Sequence, residues 1–222
     1  VSEIYPGAIY PAFIAIGFAL LFNSPAAGAV TIEQICRAIK NVKNVCITSF
    51  IPGKTEPFQK IWVSRTLNIY MTKTGQESVL QDLTNKVRKV KSYNTDSVET
   101  SPLPTETITA TETLMDGFLG LVPFADLSVI PNNAEWNRVG NDLESGTEAI
   151  EIYELTWLDK TYAGFTIFNK WLFFVDPKTN LPQRTESYRK SAGNTKYTLL
   201  SAMEIKYLSD GEMKTIINEA SF

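Results

Sequence analysis

Four glutamates, Glu144, Glu148, Glu151 and Glu154, crowd one short stretch of the chain. Two carboxylates held roughly 5–10 Å apart across a cleft hydrolyse glycosides, one as acid and the other as base or nucleophile. A solvated strand and turn has the same composition without any chemistry, and that is the reading adopted. Asp176 precedes Pro177, where an Asp-Pro turn accounts for it without a nucleophilic role. The chain contains no histidine. Ser-His-Asp and Cys-His hydrolysis, the imidazole general base and His-containing zinc sites are thereby removed. Cys36 and Cys46 are the two cysteines, too few to close a zinc site alone. Cys36 falls on a predicted helix and Cys46 just beyond its end. Ten residues of helix rise about 15 Å, too far for a disulfide. Two independent buried thiols are expected, with no catalytic residue, no metal, no cofactor and no enzymatic activity.

The elements that would position such side chains divide the chain in two. From Ile4 to Ile32 no residue carries a charge at neutral pH, and the apolar run Ala8–Phe22 lies inside that gap. About 29 uncharged residues exceed the roughly 20 with which a helix crosses a bilayer. Two readings of residues 1–30 stand side by side. In one they are a signal peptide, with Ala8–Phe22 as its apolar core and Ala27-Gly28-Ala29 as the small-residue cleavage site. In the other they are an uncleaved membrane anchor with interfacial Tyr5 and Tyr10. A basic segment or a cytoplasmic portion upstream of Val1 suits either. Both place residues 31–222 outside the cytoplasm, in the periplasm, as one domain large enough for a substantial core. The net charge of −3 offers nothing to recruit nucleic acid or an anionic membrane surface.

Thr31-Ile-Glu-Gln34 matches a capping box. Ile32, Ile35, Ile39, Val42 and Cys46 then recur at spacings of three and four, with Arg37, Lys40 and Lys43 off that stripe, which predicts an amphipathic helix packed on a core. From Val45 the period becomes two. Val45–Ile51 predicts a short strand stopped at Pro52-Gly53. Phe58–Met71 predicts one long strand, with Ile61, Val63 and Met71 on one face and Trp62 and Tyr70 on the other. Ser78–Leu83 and Val87–Lys91 continue an antiparallel meander, the latter a sheet edge guarded by lysines. Tyr93–Ala110, polar and broken by Pro102 and Pro104, predicts a mobile loop. Thr111–Val122 predicts a helix weakened by Gly117 and Gly120 and stopped or bent by Pro123. Trp136–Asn141, Glu148–Leu158, Phe165–Val175, Leu181–Lys190, Lys196–Leu208 and Glu212–Asn218 predict strands, with a hairpin turn at Ser209-Asp-Gly211. No βαβ alternation is present. The fold class expected is α+β, a highly curved antiparallel sheet capped by helices and preceded by the N-terminal apolar helix.

The segment Trp171-Leu-Phe-Phe-Val-Asp-Pro-Lys-Thr-Asn-Leu-Pro-Gln-Arg-Thr-Glu186 resembles a strand–turn–strand motif of the outer-membrane lipoprotein carrier superfamily (LolA, LolB and RseB). The helix-then-meander order from Thr31 and the helix-bearing insertion before the second half of the sheet follow the same pattern. The resemblance therefore covers about residues 31–218, although the carriers' Asp-Gly then Trp-x-Tyr-Asp-Pro signature is not found. It implies an unclosed half-barrel whose concave face shelters acyl chains or a lipopeptide. On that basis Trp62, Tyr70, Phe118, Leu121, Trp171 and Phe173 are candidate lining residues, and Thr111–Val122 a movable lid. The same six side chains serve equally well as plain core. The implied role is an exported or membrane-tethered domain that binds an apolar ligand, a lipid, acyl chain or lipoprotein, for sensing or transport. The alternative is a protein-interaction module of an anti-sigma-type membrane signalling protein, with a filled core and a signalling protein as partner.

Overall fold

The computed structural model describes residues 29–142 and 150–222. Residues 1–28 of the expected signal peptide or anchor, with its apolar helix, lie outside the described residues, as do Glu144 and Glu148. Helix α1 (Ile32–Lys40) leads into β1 (Asn44–Phe50), β2 (Pro57–Ser64), β3 (Ile69–Lys73), β4 (Glu77–Asp82), β5 (Val87–Ser92) and β6 (Ser97–Pro102). Helix α2 (Thr105–Asp116) and a 3-10 turn (Leu127–Val129) connect these to β7 (Glu135–Asp142). Strands β8 (Ile150–Lys160), β9 (Thr166–Asp176), β10 (Leu181–Ser191) and β11 (Thr198–Tyr207) follow, and then helix α3 (Asp210–Glu219).

All eleven strands form one sheet in the order β6-β5-β4-β3-β2-β1-β11-β10-β9-β8-β7. Two meanders meet where β1 pairs antiparallel with β11, Val45 opposite Tyr207 and Ile47 opposite Ile205. The outer strands β6 and β7 do not pair with each other, so the sheet stays unclosed and the α+β expectation holds. Every neighbouring pair is antiparallel, so β1, β3, β5, β8 and β10 all finish at one end of the sheet, here called the upper end. The β2–β3, β4–β5 and β9–β10 turns lie at the lower end.

Helix α1 starts where its capping box predicts. The Gln34 N–H donates to Thr31 Oγ1 at 3.3 Å, and the Thr31 N–H donates to Gln34 Oε1 at 2.8 Å. It ends at Asn41, short of the predicted stripe, and Cys46 belongs to β1. The long strand Phe58–Met71 is instead a hairpin. Ser64 Oγ accepts the Leu67 N–H at 3.0 Å, and Asn68 takes the left-handed conformation (φ 56°) that asparagine tolerates. The turn resets alternation: Trp62 stands opposite Met71, and Tyr70 opposite Val63. Trp62 and Tyr70 therefore point from opposite faces, contrary to the sequence expectation.

Three further segments differ from their predicted form. Tyr93–Ala110 holds a turn, the edge strand β6 and the first half of α2, so β5 is an interior strand. Pro102 closes that strand at the sheet edge, where a missing N–H costs no ladder bond. Helix α2 begins at Thr105 and ends before Gly117, where a Cβ would lie 3.2 Å from the Thr113 carbonyl oxygen. Residues Asp210–Glu219 are helical, not a strand, because Ser209 and Glu212 form a second capping box. Met213, Ile216, Ile217 and Ala220 then recur at helical spacing and pack with Trp62, Met71 and Leu80. Helix α3 thus covers the face opposite the one that buries Val45, Val63 and Phe173.

Candidate functional site

The strand order forces a crossing. Strands β6 and β7 are the two edges of the sheet, so the chain between them must traverse one face. That face is already covered in part by α1, which buries Ile32, Ile35 and Ile39 against it. The crossing segment adds Met115, Phe118, Leu119, Leu121 and Val122 to the same apolar cluster. Phe118 is 3% exposed and Leu121 not at all. Leu119 (φ 57°) and Gly120 (φ 74°) are both left-handed, a sharp reversal in the stretch whose neighbours Phe118 and Leu121 are buried. A leucine held there costs roughly 1 kcal/mol. The cover is locally strained.

One side chain joins both helices of the cover. Arg65, in the β2–β3 turn, donates Nε to the Met115 carbonyl at 2.6 Å and Nη2 to the Gly117 carbonyl at 2.9 Å. Its Nη1 donates to the carbonyls of Ile39 (2.9 Å), Lys40 (2.9 Å) and Val42 (2.7 Å). These oxygens lie at or just beyond the C-terminal ends of α1 and α2, where the helix dipoles are negative; the Ile39 carbonyl also accepts the Val42 N–H at 3.1 Å. Burial lowers the Arg65 pKa, opposed by Asp116, yet a guanidinium starts so high that it remains charged. Farther along α2, Thr111 Oγ1 donates to Gln81 Oε1 of β4 at 2.8 Å. The Lys40 ammonium stands 5.3 Å from the centre of the Phe118 ring.

Of the six candidate residues, Tyr70, Phe118, Leu121, Trp171 and Phe173 meet in this cluster. Trp62 does not; it lies under α3. Tyr70 and Trp171 are only partly buried, while Phe173 is fully buried. Sequence reasoning missed Trp136, which stacks on Tyr153 (centroids 5.1 Å apart, 5° between planes) and tilts against Phe173 at 5.4 Å. These two rings also hold Val30, just before α1. The Val30 N–H donates to Tyr153 Oη at 2.7 Å, and Trp136 Nε1 donates to the Val30 carbonyl at 3.0 Å. Tyr153 Oη donates in turn to Glu151 Oε2 at 2.5 Å, and Glu151 pairs with Arg138 at 2.8 Å. Burial, together with the Glu151 hydrogen bond, pushes the Tyr153 pKa up to about 12. The Trp136 signal was present as an aromatic at the start of a predicted strand, whereas Arg65 had no sequence signal.

The acidic cluster separates. Glu151 shares a face with Tyr153, while Glu154, three residues on, points from the other and pairs with Lys170 at 3.5 Å. Asp176 accepts the Lys178 N–H at 2.9 Å and the Thr179 hydroxyl at 2.7 Å, a turn as expected. Both cysteines are free. Cys36 is buried and Cys46 half-buried, and burial raises both pKa values, with Cys36 reaching about 12. Two surface grooves, of about 330 Å³ beside Phe50–Thr55 and about 450 Å³ beside Asn132–Glu135, include none of the six candidates.

An unclosed antiparallel sheet, roofed on one face by its own cross-connection, defines the class: a half-barrel with a helical cover. No family model matches the chain, and no curated protein does. Among solved structures it is similar to MucB, at 12% identity and a TM-score of 0.45, over 81% of this chain and 59% of that one. It is also similar to a DUF1329 family protein from Desulfovibrio piger ATCC 29098, at 10% identity and a TM-score of 0.26, over 81% of this chain and 93% of that one. The chain spans less than two thirds of the length of MucB. The fold rests on the strand order itself.

Proposed function

We propose that the protein is an extracytoplasmic, exported or membrane-tethered domain that binds an apolar ligand on the face beneath the crossing segment, without a catalytic step. One observation carries this reading. The apolar space on that face is filled by Phe118–Val122, residues of a strained connection that Arg65 holds to the sheet. Side chains of the sheet do not fill it alone. When the connection lifts, Trp136, Trp171 and Phe173 become the floor of a site suited to an acyl chain or lipopeptide. An unclosed sheet accommodates such movement, since no edge-to-edge ladder must break. Residues 1–30 would hold the domain at a membrane or direct its export.

The completely buried Leu121 and Phe173 favour a second reading: a regulatory module with a filled core that contacts a signalling protein. A fluorescent fatty acid separates the two. Under the binding reading, energy transfer from the tryptophans saturates at micromolar ligand, is displaced by unlabelled acyl chains and falls in Trp171→Phe. A chain that shows no saturable transfer supports the filled module instead.

A further inference from the structure

The ends of the sheet differ in what they expose. Among the described residues, most of the exposed large apolar side chains, Ile51, Phe58, Tyr93, Leu158, Tyr162 and Phe165 among them, lie at or beside the upper end, whereas Val129 in the 3-10 turn and Val139 within β7 lie away from it. No exposed large apolar residue lies in the lower-end turns Arg65–Asn68, Thr84–Lys86 or Lys178–Asn180. The concentration peaks at the β8–β9 hairpin, where Tyr162 is fully exposed and Phe165 is 69% exposed. That tip is a closed turn. The Thr161 N–H donates to the Phe165 carbonyl at 2.9 Å, the Gly164 N–H to the Thr161 carbonyl at 2.9 Å, and the Phe165 N–H to Thr161 Oγ1 at 3.1 Å. Gly164 supplies the left-handed corner (φ 80°). The two rings are thus held out in water by a hydrogen-bonded loop.

The neighbouring β10–β11 tip supplies charge. Ala192 N–H donates to the Thr166 carbonyl at 3.1 Å, which fixes the two hairpins side by side. Together they carry Lys160, Arg189, Lys190 and Lys196, of which all but the half-buried Lys190 are exposed. The acid between them, Asp159, already accepts from Trp157 Nε1 (3.1 Å) and Asn169 Nδ2 (2.7 Å). Aromatic rings favour the headgroup layer of a bilayer, and cations beside them are attracted to anionic lipid.

We propose that the β8–β9 and β10–β11 hairpin tips seat on an anionic bilayer surface, with Tyr162 and Phe165 entering the headgroup layer. This surface lies apart from the covered face, so it stands whether or not that face takes a ligand. The test uses the whole chain with vesicles of phosphatidylcholine with or without phosphatidylglycerol. Ala163→Cys carries an environment-sensitive fluorophore, and label taken up by the parent chain at Cys46 is subtracted. A blue shift on anionic vesicles, reduced by added salt, quenched by nitroxide-headgroup lipid and abolished by Tyr162→Ser/Phe165→Ser, is expected. Because the signal reports position 163 alone, insertion of residues 1–30 does not mimic it. Emission that stays aqueous, a shift equally large on neutral vesicles, or a shift retained in the double variant overturns the proposal. Circular dichroism is expected to be unchanged by the double variant, since both rings are exposed.

Discussion

Replacing Arg65 by methionine removes the donor shared by the two helix ends while keeping an unbranched apolar stem. Five carbonyl oxygens lose a charged partner: those of Ile39, Lys40, Val42, Met115 and Gly117. The Lys40 bond is exposed and recovers through water; the other four are part-buried. Only the bonds to Met115 and Gly117 break when Thr111–Val122 lifts; at about 1 kcal/mol for each, their loss favours opening by about 2 kcal/mol. A difference of that size raises the open population of the cover by roughly thirtyfold. Native-state hydrogen exchange reads this directly. Amides of Thr111–Val122 are expected to exchange roughly thirtyfold faster, while those of β9 and β10 change far less. Arg65→Lys, a single point charge, is expected to recover only part of the protection. Acceleration spread evenly over the sheet, or none in the cover, refutes the idea that Arg65 holds a separable segment.

Other consequences are quickly checked. Ser209→Ala removes one half of the α3 capping box, whose hydroxyl accepts the Glu212 N–H at 3.2 Å; a stability loss of about 1 kcal/mol is expected, read as a lower denaturant midpoint. Thr185 Oγ1 is buried without a hydrogen-bond partner, so Thr185→Val should raise stability by about 1 kcal/mol, and a lower melting temperature contradicts that. Tyr153, Tyr188 and Cys36 all have folded pKa values near 12, raised chiefly by burial from ordinary values of 10.0, 10.0 and 9.0. The folded state holds these protons more tightly, so their contribution is intact below the ordinary values and is lost as pH climbs toward 12. Denaturant midpoints should fall across that interval; a flat profile counts against it.

The central meander and the carrier-like hairpin Asp176–Arg184 were legible because alternation and turn residues mark them locally. So was α1, whose capping box stands in four consecutive residues. The lower-end turn Arg65–Asn68 was not, since its apolar Leu67 keeps the period-two pattern running through a reversal. That single misreading moved Trp62 to the wrong face. Helix α3 had a legible signal in Ser209-x-x-Glu212, but the Asp-Gly pair inside it also reads as a hairpin turn. The cover was half visible: Gly117 and Gly120 marked an irregular segment, and Phe118 and Leu121 marked its apolar side. Arg65 was invisible, because its acceptors come from two helices that are distant in sequence and meet only in the fold.

The most direct measurement is an isotope-filtered nuclear Overhauser experiment on the chain with a carbon-13-labelled fatty acid. Contacts from methylene protons of the guest to the rings of Phe173 and Trp171, with loss of the contacts between Phe118 and the sheet, are the expected result. A saturated complex whose guest touches neither ring, while Phe118 keeps its place, contradicts the account.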